Sequence, residues 1–257
     1  MASAPLSSEL TEQDTSLKFA DALRDVGWLD SVLYVLHTAF LRLTRSRLLL
    51  LKYYFVAQPI AAKSLLSPAR GRNVAVHQVR PGDAAIALFP RDPAIIRKRF
   101  DSGAQCLCAM KQGGFAGFLW WQTGAYDEDE ARCRFRPVPA EETVWDFDVH
   151  VEPAERGGMV LPRLWDEANA LLRDRGVRWT VSRISAFNPA SLSSHARMGA
   201  LPIGSACFAL LGRWQIMWAS VHPFLHLSSG TSSCPELVLD VRQSKNYRRF
   251  RRFSRRH

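Results

Sequence analysis

The stretch from Val144 to Ala200 constrains the fold more than any other part of this chain. It opens with an apolar and acidic run, Val144-Trp145-Asp146-Phe147-Asp148-Val149-His150-Val151, which reads as a strand. A polar turn from Glu152 to Gly158 follows, and then an amphipathic helix. Leu161, Leu164, Trp165, Ala168, Leu171 and Leu172 share one face of that helix, while Arg163, Asp166, Glu167 and Arg173 lie elsewhere. Pro162 is tolerated only in a first helical turn, so the helix starts near Gly158 or Met159, and Gly176 stops it. A second strand runs from Val177 to Phe187. Asn188 before Pro189 is an N-cap followed by proline at the first helical position, which starts another helix. The turn Arg156-Gly157-Gly158 lets a ligand come close, and the helix behind it points free N–H groups and a positive dipole outward. That arrangement suits a pyrophosphate, with Arg156 adding charge. An ordinary strand–turn–helix with glycines at its bend fits the same spacing.

Around this stretch the chain divides into four parts. Residues 1–15 are small and polar and are expected to be disordered. Residues 16–70 read as an N-terminal helical extension packed on the main domain. Leu29, Val32, Leu33, Leu36, Phe40 and Leu43 recur at helical spacing there and form one stripe. Leu48 to Val56 reads as a strand ended by Gln58-Pro59. Residues 71–214 form the main domain. Within it Val74 to Val79 alternates as a strand, and Arg80-Pro81-Gly82-Asp83 turns the chain into a helical or loop region. Runs 105–111 and 115–122 read as a hairpin around Gly113-Gly114, and Arg132 to Val138 as a further edge strand. With 143–151 the hairpin makes an antiparallel meander leading into the central stretch. Leu201 to Leu211, bent at Gly204, closes the domain. Residues 215–257 form a C-terminal extension without a clear period. The fold class expected is mixed α/β (α+β).

The formal net charge of +10 is uneven: seven basic residues and no acid lie between Lys245 and the end. Arginines alternate there with Tyr247, Phe250 and Phe253. Such a tail either contacts nucleic acid or anionic membrane weakly or is simply solvated. The five cysteines are odd in number and form no C-x-x-C pair, which fits buried free thiols in a reducing compartment and no metal. The most apolar window, Leu48 to Leu66, is broken by Lys52, Gln58, Pro59 and Lys63, too interrupted for a membrane span. A cytoplasmic location is expected.

Val151-Glu152-Pro153-Ala154-Glu155-Arg156-Gly157 resembles the strand-to-loop motif V-x-P-x-x-R-G of the GNAT superfamily of acyl-CoA-dependent N-acyltransferases. Asn188, Ser191, His195, Arg197 and Gly199 match that family's second motif, N-x-x-[SA]-x-x-x-[YH]-x-[KR]-x-G. Val79-Arg80-Pro81 with Asp83 resembles its opening strand and turn. The likeness covers roughly Val74 to Gly212. It departs from the family in the phosphate loop, where Met159 and Leu161 stand at glycine positions.

The resemblance implies a GNAT-like sheet, mostly antiparallel, with splayed central strands flanked by helices. It implies acetyl-CoA or another acyl-CoA as co-substrate and a small-molecule or peptide amine as acceptor. Backbone groups of Val149 and Val151 would meet the pantetheine arm. Arg156, Gly157 and Gly158 would meet the pyrophosphate, with Asn188 and Ser191 at the second helix. His195 takes the position of the tyrosine that often protonates the leaving thiolate. Asp146, Asp148 and His150 alternate along one strand face and are the candidates for the base, unless a bulge redistributes them. The imperfect loop leaves open transfer from an acyl carrier protein, or a scaffold that lost its donor site and binds a partner.

Overall fold

The computed structural model describes residues 35, 48–67, 69–230 and 233–243. The disordered start, the helical stripe (apart from neighbouring Val35) and the basic tail lie outside these residues. Twelve strands and three α-helices are described: β1 Leu48–Pro59, β2 Val74–Val79, α1 Pro93–Asp101, β3 Gln105–Lys111, β4 Gly114–Gln122, β5 Tyr126–Asp127, β6 Arg134–Val138, β7 Thr143–Val151, α2 Val160–Asp174, β8 Trp179–Ser185, α3 Pro189–Arg197, β9 Leu201–Leu211, β10 Trp214–Ala219, β11 Leu225–Ser229 and β12 Glu236–Asp240.

Nine strands form one sheet in the order β11-β10-β9-β1-β8-β7-β4-β3-β2. All neighbours in it are antiparallel except β7 and β8. The meander β3–β4–β7 is as expected, and Gln112 and Gly113 make its tight turn with positive φ of 50° and 80°. A small sheet, β12-β6-β5, lies against one face of the large one, burying Phe135, Leu237 and Leu239 with Phe55, Trp145, Val181 and Met217. On the opposite face α2 packs Val160, Leu164, Trp165, Ala168 and Leu172 against Leu107, Leu119 and Val144. The apolar stripe read along α2 is thus its core face.

Two boundaries differ from the sequence reading. Leu48–Pro59 was assigned to an N-terminal extension, yet it is the strand between β8 and β9, with Tyr53 opposite both Ser185 and Ala206. Its near-continuous apolar run suits a strand buried on both sides. Residues 215–243, read as a C-terminal extension without a clear period, join the sheets. β10 and β11 prolong the large sheet, and β12 pairs in parallel with β6. Arg132 to Val138, read as a further edge strand, instead supplies the central strand of the small sheet, β6. Local pattern identified strands here but not their partners, because pairing is settled between segments far apart in sequence.

Candidate active site

β7 and β8 are paired only from Thr143 to Trp145 against Trp179 to Val181. Beyond Trp145 the two strands have no ladder between them, so the sheet opens there into a splay. Because the pair is parallel, both strands leave the opening at their C-terminal ends. β7 feeds the N-terminus of α2, and β8 feeds the N-terminus of α3. Both helices thus begin where these strands end, and a helix N-terminus carries free backbone N–H groups and positive dipole.

A bulge decides which side chains face where. β7 pairs with β4 as Phe118 with His150 but Trp120 with Phe147, leaving one extra residue on β7. Asp148 takes it up with φ 47°, a conformation that aspartate tolerates better than most residues. Gly117 on β4 allows the close approach: a Cβ there would stand 2.4 Å from the His150 carbonyl oxygen. Asp146, Asp148 and His150 were expected on one face, and the bulge overturns that. Asp146 stays on the α2 side with Val144, whereas Asp148 and His150 turn to the other side.

Asp146 is 2% exposed, and its Oδ2 has no hydrogen-bonding partner among the described residues. Burial pushes its carboxyl up to about 7; the nearby Thr180 and Ser182 hydroxyls on β8 offset this in part. Neither hydroxyl reaches good hydrogen-bond geometry, so three buried polar groups at the splay lack partners among the described residues. Asp148 has the opposite environment. Burial would raise its carboxyl as well, but the Arg91 hydrogen bond and the Arg99 charge outweigh that and hold it below the usual range. Arg91 Nε lies 2.8 Å and Arg99 Nη1 2.6 Å from Asp148 Oδ2. Arg99 also lies over the rings of Trp120 and Phe147. His150 stacks beside Phe115 and Phe118 and meets Glu152 at 3.1 Å.

His195 is buried under Trp165, and its Nδ1 lies 3.0 Å from Gln58 Oε1 on β1. An amide oxygen only accepts, so Nδ1 carries the proton and Nε2 keeps a lone pair. Burial lowers the imidazole to about 4, so the ring is neutral near pH 7 and Nε2 is a proton acceptor rather than a donor.

The turn after β7 is a short 3-10 segment, Pro153–Glu155, held by Lys111 on Glu155 at 2.7 Å. Arg156 is exposed, and its Nε donates to the Val151 carbonyl at 3.2 Å, so that carbonyl is already engaged. Val149 packs towards α2. Gly157, at φ 78° with open space at its Cβ position, is where this turn requires glycine. Met159 sits at φ −91°, ψ −4° and Leu161 lies inside α2, conformations open to any residue. Their side chains therefore do not remove the backbone donors of the turn, and no side chain caps α2. Gly158 donates its N–H to Glu155 O. At α3, Asn188 Oδ1 accepts from the Ser191 N–H at 3.1 Å, the expected cap.

On the face opposite α2, the loop after Tyr126 bridges the splay. Tyr126 packs on Trp145 and Phe147 of β7, and Glu128 accepts from Arg183 of β8. Glu130 accepts from the Tyr53 hydroxyl of β1. Arg183 is thus engaged by acids and lies over the Tyr53 ring. Gln58, Thr180, Arg91 and Arg99 escaped the sequence reading. A lone glutamine beside a strand-ending proline was the one signal for Gln58; the arginines carried none, because their partner Asp148 is distant in sequence. Among the described residues no group of three or more His, Cys, Asp or Glu side chains is placed to hold a metal, and no helix is long and apolar enough to cross a membrane.

No family model and no curated protein matches this sequence. Solved structures do resemble it. A conserved protein of unknown function from Staphylococcus epidermidis aligns over 68% of this chain and 66% of its own, with 11% identity and a TM-score of 0.47. A tandem GNAT protein from the clavulanic acid biosynthesis pathway aligns over 60% of this chain and 50% of its own, at 16% identity and TM-score 0.41. A GCN5-related N-acetyltransferase from Kribbella flavida aligns over 66% and 62%, at 14% and 0.41. In its strand order and in the splay of its one parallel pair, the large sheet is the mixed, mostly antiparallel sheet with splayed central strands that the GNAT resemblance implied.

Proposed function

We propose that the protein is an N-acyltransferase that moves an acyl group from a CoA thioester to an amine, with its reaction centre in the splay between β7 and β8. The observation that carries this reading is the set of buried polar groups at the point of opening that have no partner among the described residues: Asp146 Oδ2, Thr180 Oγ1 and Ser182 Oγ. Buried polar atoms without partners are costly and are retained where something else satisfies them. The unladdered edges of β7 and β8 offer backbone donors and acceptors to an extended arm, and the turn at Gly157 with the α2 N-terminus suits a pyrophosphate. The residues present thus fit an acyl-CoA, which would supply the activated carbonyl.

The acceptor must reach that carbonyl as a neutral amine. Asp146, with its carboxyl raised to about 7, is ionised above neutrality and takes the amine proton as the new C–N bond forms. His195 is a second proton acceptor on the same side of the sheet, through Nε2. The thiolate leaves as the C–S bond breaks and takes its proton from the protonated Asp146 or from water.

The direct test is calorimetric titration of the full chain with acetyl-CoA and longer acyl-CoAs, followed by thiol release with a panel of amines. Saturable binding and amine-dependent release of free CoA are expected. Folded protein that binds none of these donors would refute the reading.

A further inference from the structure

The outer end of the large sheet carries an apolar face that points away from the core. Along β10, Trp214, Ile216 and Trp218 are exposed, while the intervening Gln215 and Met217 are buried. In register with them stand Leu225 opposite Trp218 and Leu227 opposite Ile216 on β11, and Leu211 opposite Trp214 on β9. Directly opposed residues of an antiparallel pair share a face, so the six side chains form one patch. Each is between 41% and 70% exposed.

A sheet with one face on the core ordinarily carries polar residues on the other. β10, Trp-Gln-Ile-Met-Trp-Ala, breaks that rule by placing its largest apolar residues outside. The six side chains expose roughly 600 Å² together, approaching the ~800 Å² that each partner contributes to an interface of standard size. β9, β10 and β11 contain no Asp, Glu, Lys or Arg, and Arg213, whose guanidinium lies 5.5 Å from the Trp214 ring, marks the rim. The patch therefore has an aromatic and aliphatic centre without charge, the composition of an interface core. The strands of this face themselves offer a nucleic acid or an anionic membrane no cation, whereas a second copy of the same face matches it in polarity and absence of charge.

We infer that the β9–β10–β11 face is a homodimer interface, packed face to face against the same strands of a second copy across a two-fold axis. Such an interface is isologous, with each patch burying its own equivalent. Sheets packed in this way lie about 10 Å apart, room for one interdigitated layer of these side chains. The inference does not depend on the acyl-transfer reading, because the patch lies three strands beyond β8 in the sheet order.

Light scattering of the full chain over a dilution series tests it. The expected mass at the upper concentrations is twice the 29.0 kDa of one chain. The double variant Ile216→Asp, Leu227→Asp is expected to raise the dimer dissociation constant about a hundredfold or more, with an unchanged circular dichroism spectrum. A wild type that stays monomeric throughout overturns the inference, and binding of that monomer to anionic vesicles through these tryptophans would assign the face to lipid. A dimer that survives the double substitution overturns it equally. Should the variant misfold, oxidative footprinting of the wild type decides: Trp214 and Trp218 are expected to be protected when concentrated and to react on dilution, and reactivity independent of concentration refutes the dimer.

Discussion

Asp146 and Asp148 are two residues apart on one strand, and they live in opposite environments. Asp146 is buried on the α2 face with two hydroxyls and no cation, and its carboxyl rises to about 7. Asp148 is held between Arg91 and Arg99 on the other face and stays below the usual carboxylate range. The bulge at Asp148 makes the difference. In a regular strand both would share a face, and both would be read as candidates for one task. Separated, Asp146 has the proton affinity of a base near neutral pH, and Asp148 is a fixed anion that anchors α1 and its preceding loop to β7. Two carboxylates whose environments push their proton affinities apart take different roles.

The most severe way to break this contrast is Asp146→Asn. Acyl transfer at saturating donor should fall by about 100-fold or more at pH 8, the range for loss of a general base. The wild-type rate should rise with pH through about 7 and then level off, because the base works when ionised. An unchanged rate in Asp146→Asn would return the base role to His195 or to water. The same substitution separates catalysis from stability. The folded proton affinity of Asp146 lies above its unfolded value, so the wild type loses stability as pH rises from about 4 to about 7. Asp146→Asn escapes that loss. Its unfolding free energy, read from denaturant melts, should match wild type near pH 4 and exceed it at pH 8 by on the order of a few kcal/mol.

Gly117→Ala attacks the bulge itself. The added methyl would lie 2.4 Å from a backbone oxygen, so β4 or β7 must shift. A loss of about 2–3 kcal/mol is expected, within the range for overpacking, read from denaturant melts. Asp148→Ala follows. It leaves two arginines without their carboxylate, and because Arg91 is about one-third exposed the cost should be roughly 2 kcal/mol, below that of a fully buried pair. Asp148→Asn keeps a residue suited to positive φ but removes the charge, so a loss close to that of alanine would locate the cost in the ion pairs rather than in the backbone. The smallest effect is expected from Gln58→Leu, about 1 kcal/mol for one buried hydrogen bond. Its more telling readout is nitrogen NMR of His195. Wild type should show a neutral ring protonated at Nδ1 that does not titrate between pH 5 and 8. A ring protonated at Nε2 would contradict the Gln58 geometry.

Much of the site was legible as order along the chain. Strand, glycine turn, helix, strand and capped helix follow from the apolar periodicity, Gly157, Pro162, Gly176 and the Asn188-Pro189 pair, each of which acts on its own neighbours. Met159 and Leu161 stand where the family pattern has glycine, and a one-letter pattern does not reveal that their backbone is helical and places no demand of its own for glycine. Gln58 was out of reach for another reason. It lies 137 residues from His195, on a strand assigned to an extension.

Most strands and helices up to Leu211, with their caps and stops, and the family likeness in two motifs were readable from residue order, because these depend on interactions within a few residues. Long-range packing settles that Leu48–Pro59 enters the middle of the sheet, that β7 and β8 part after Trp145, and that Asp146 and Asp148 face opposite ways. Strand pairing, a bulge and a buried charge are settled by partners far away in the chain. A carboxylate's proton affinity follows from which of those partners surround it.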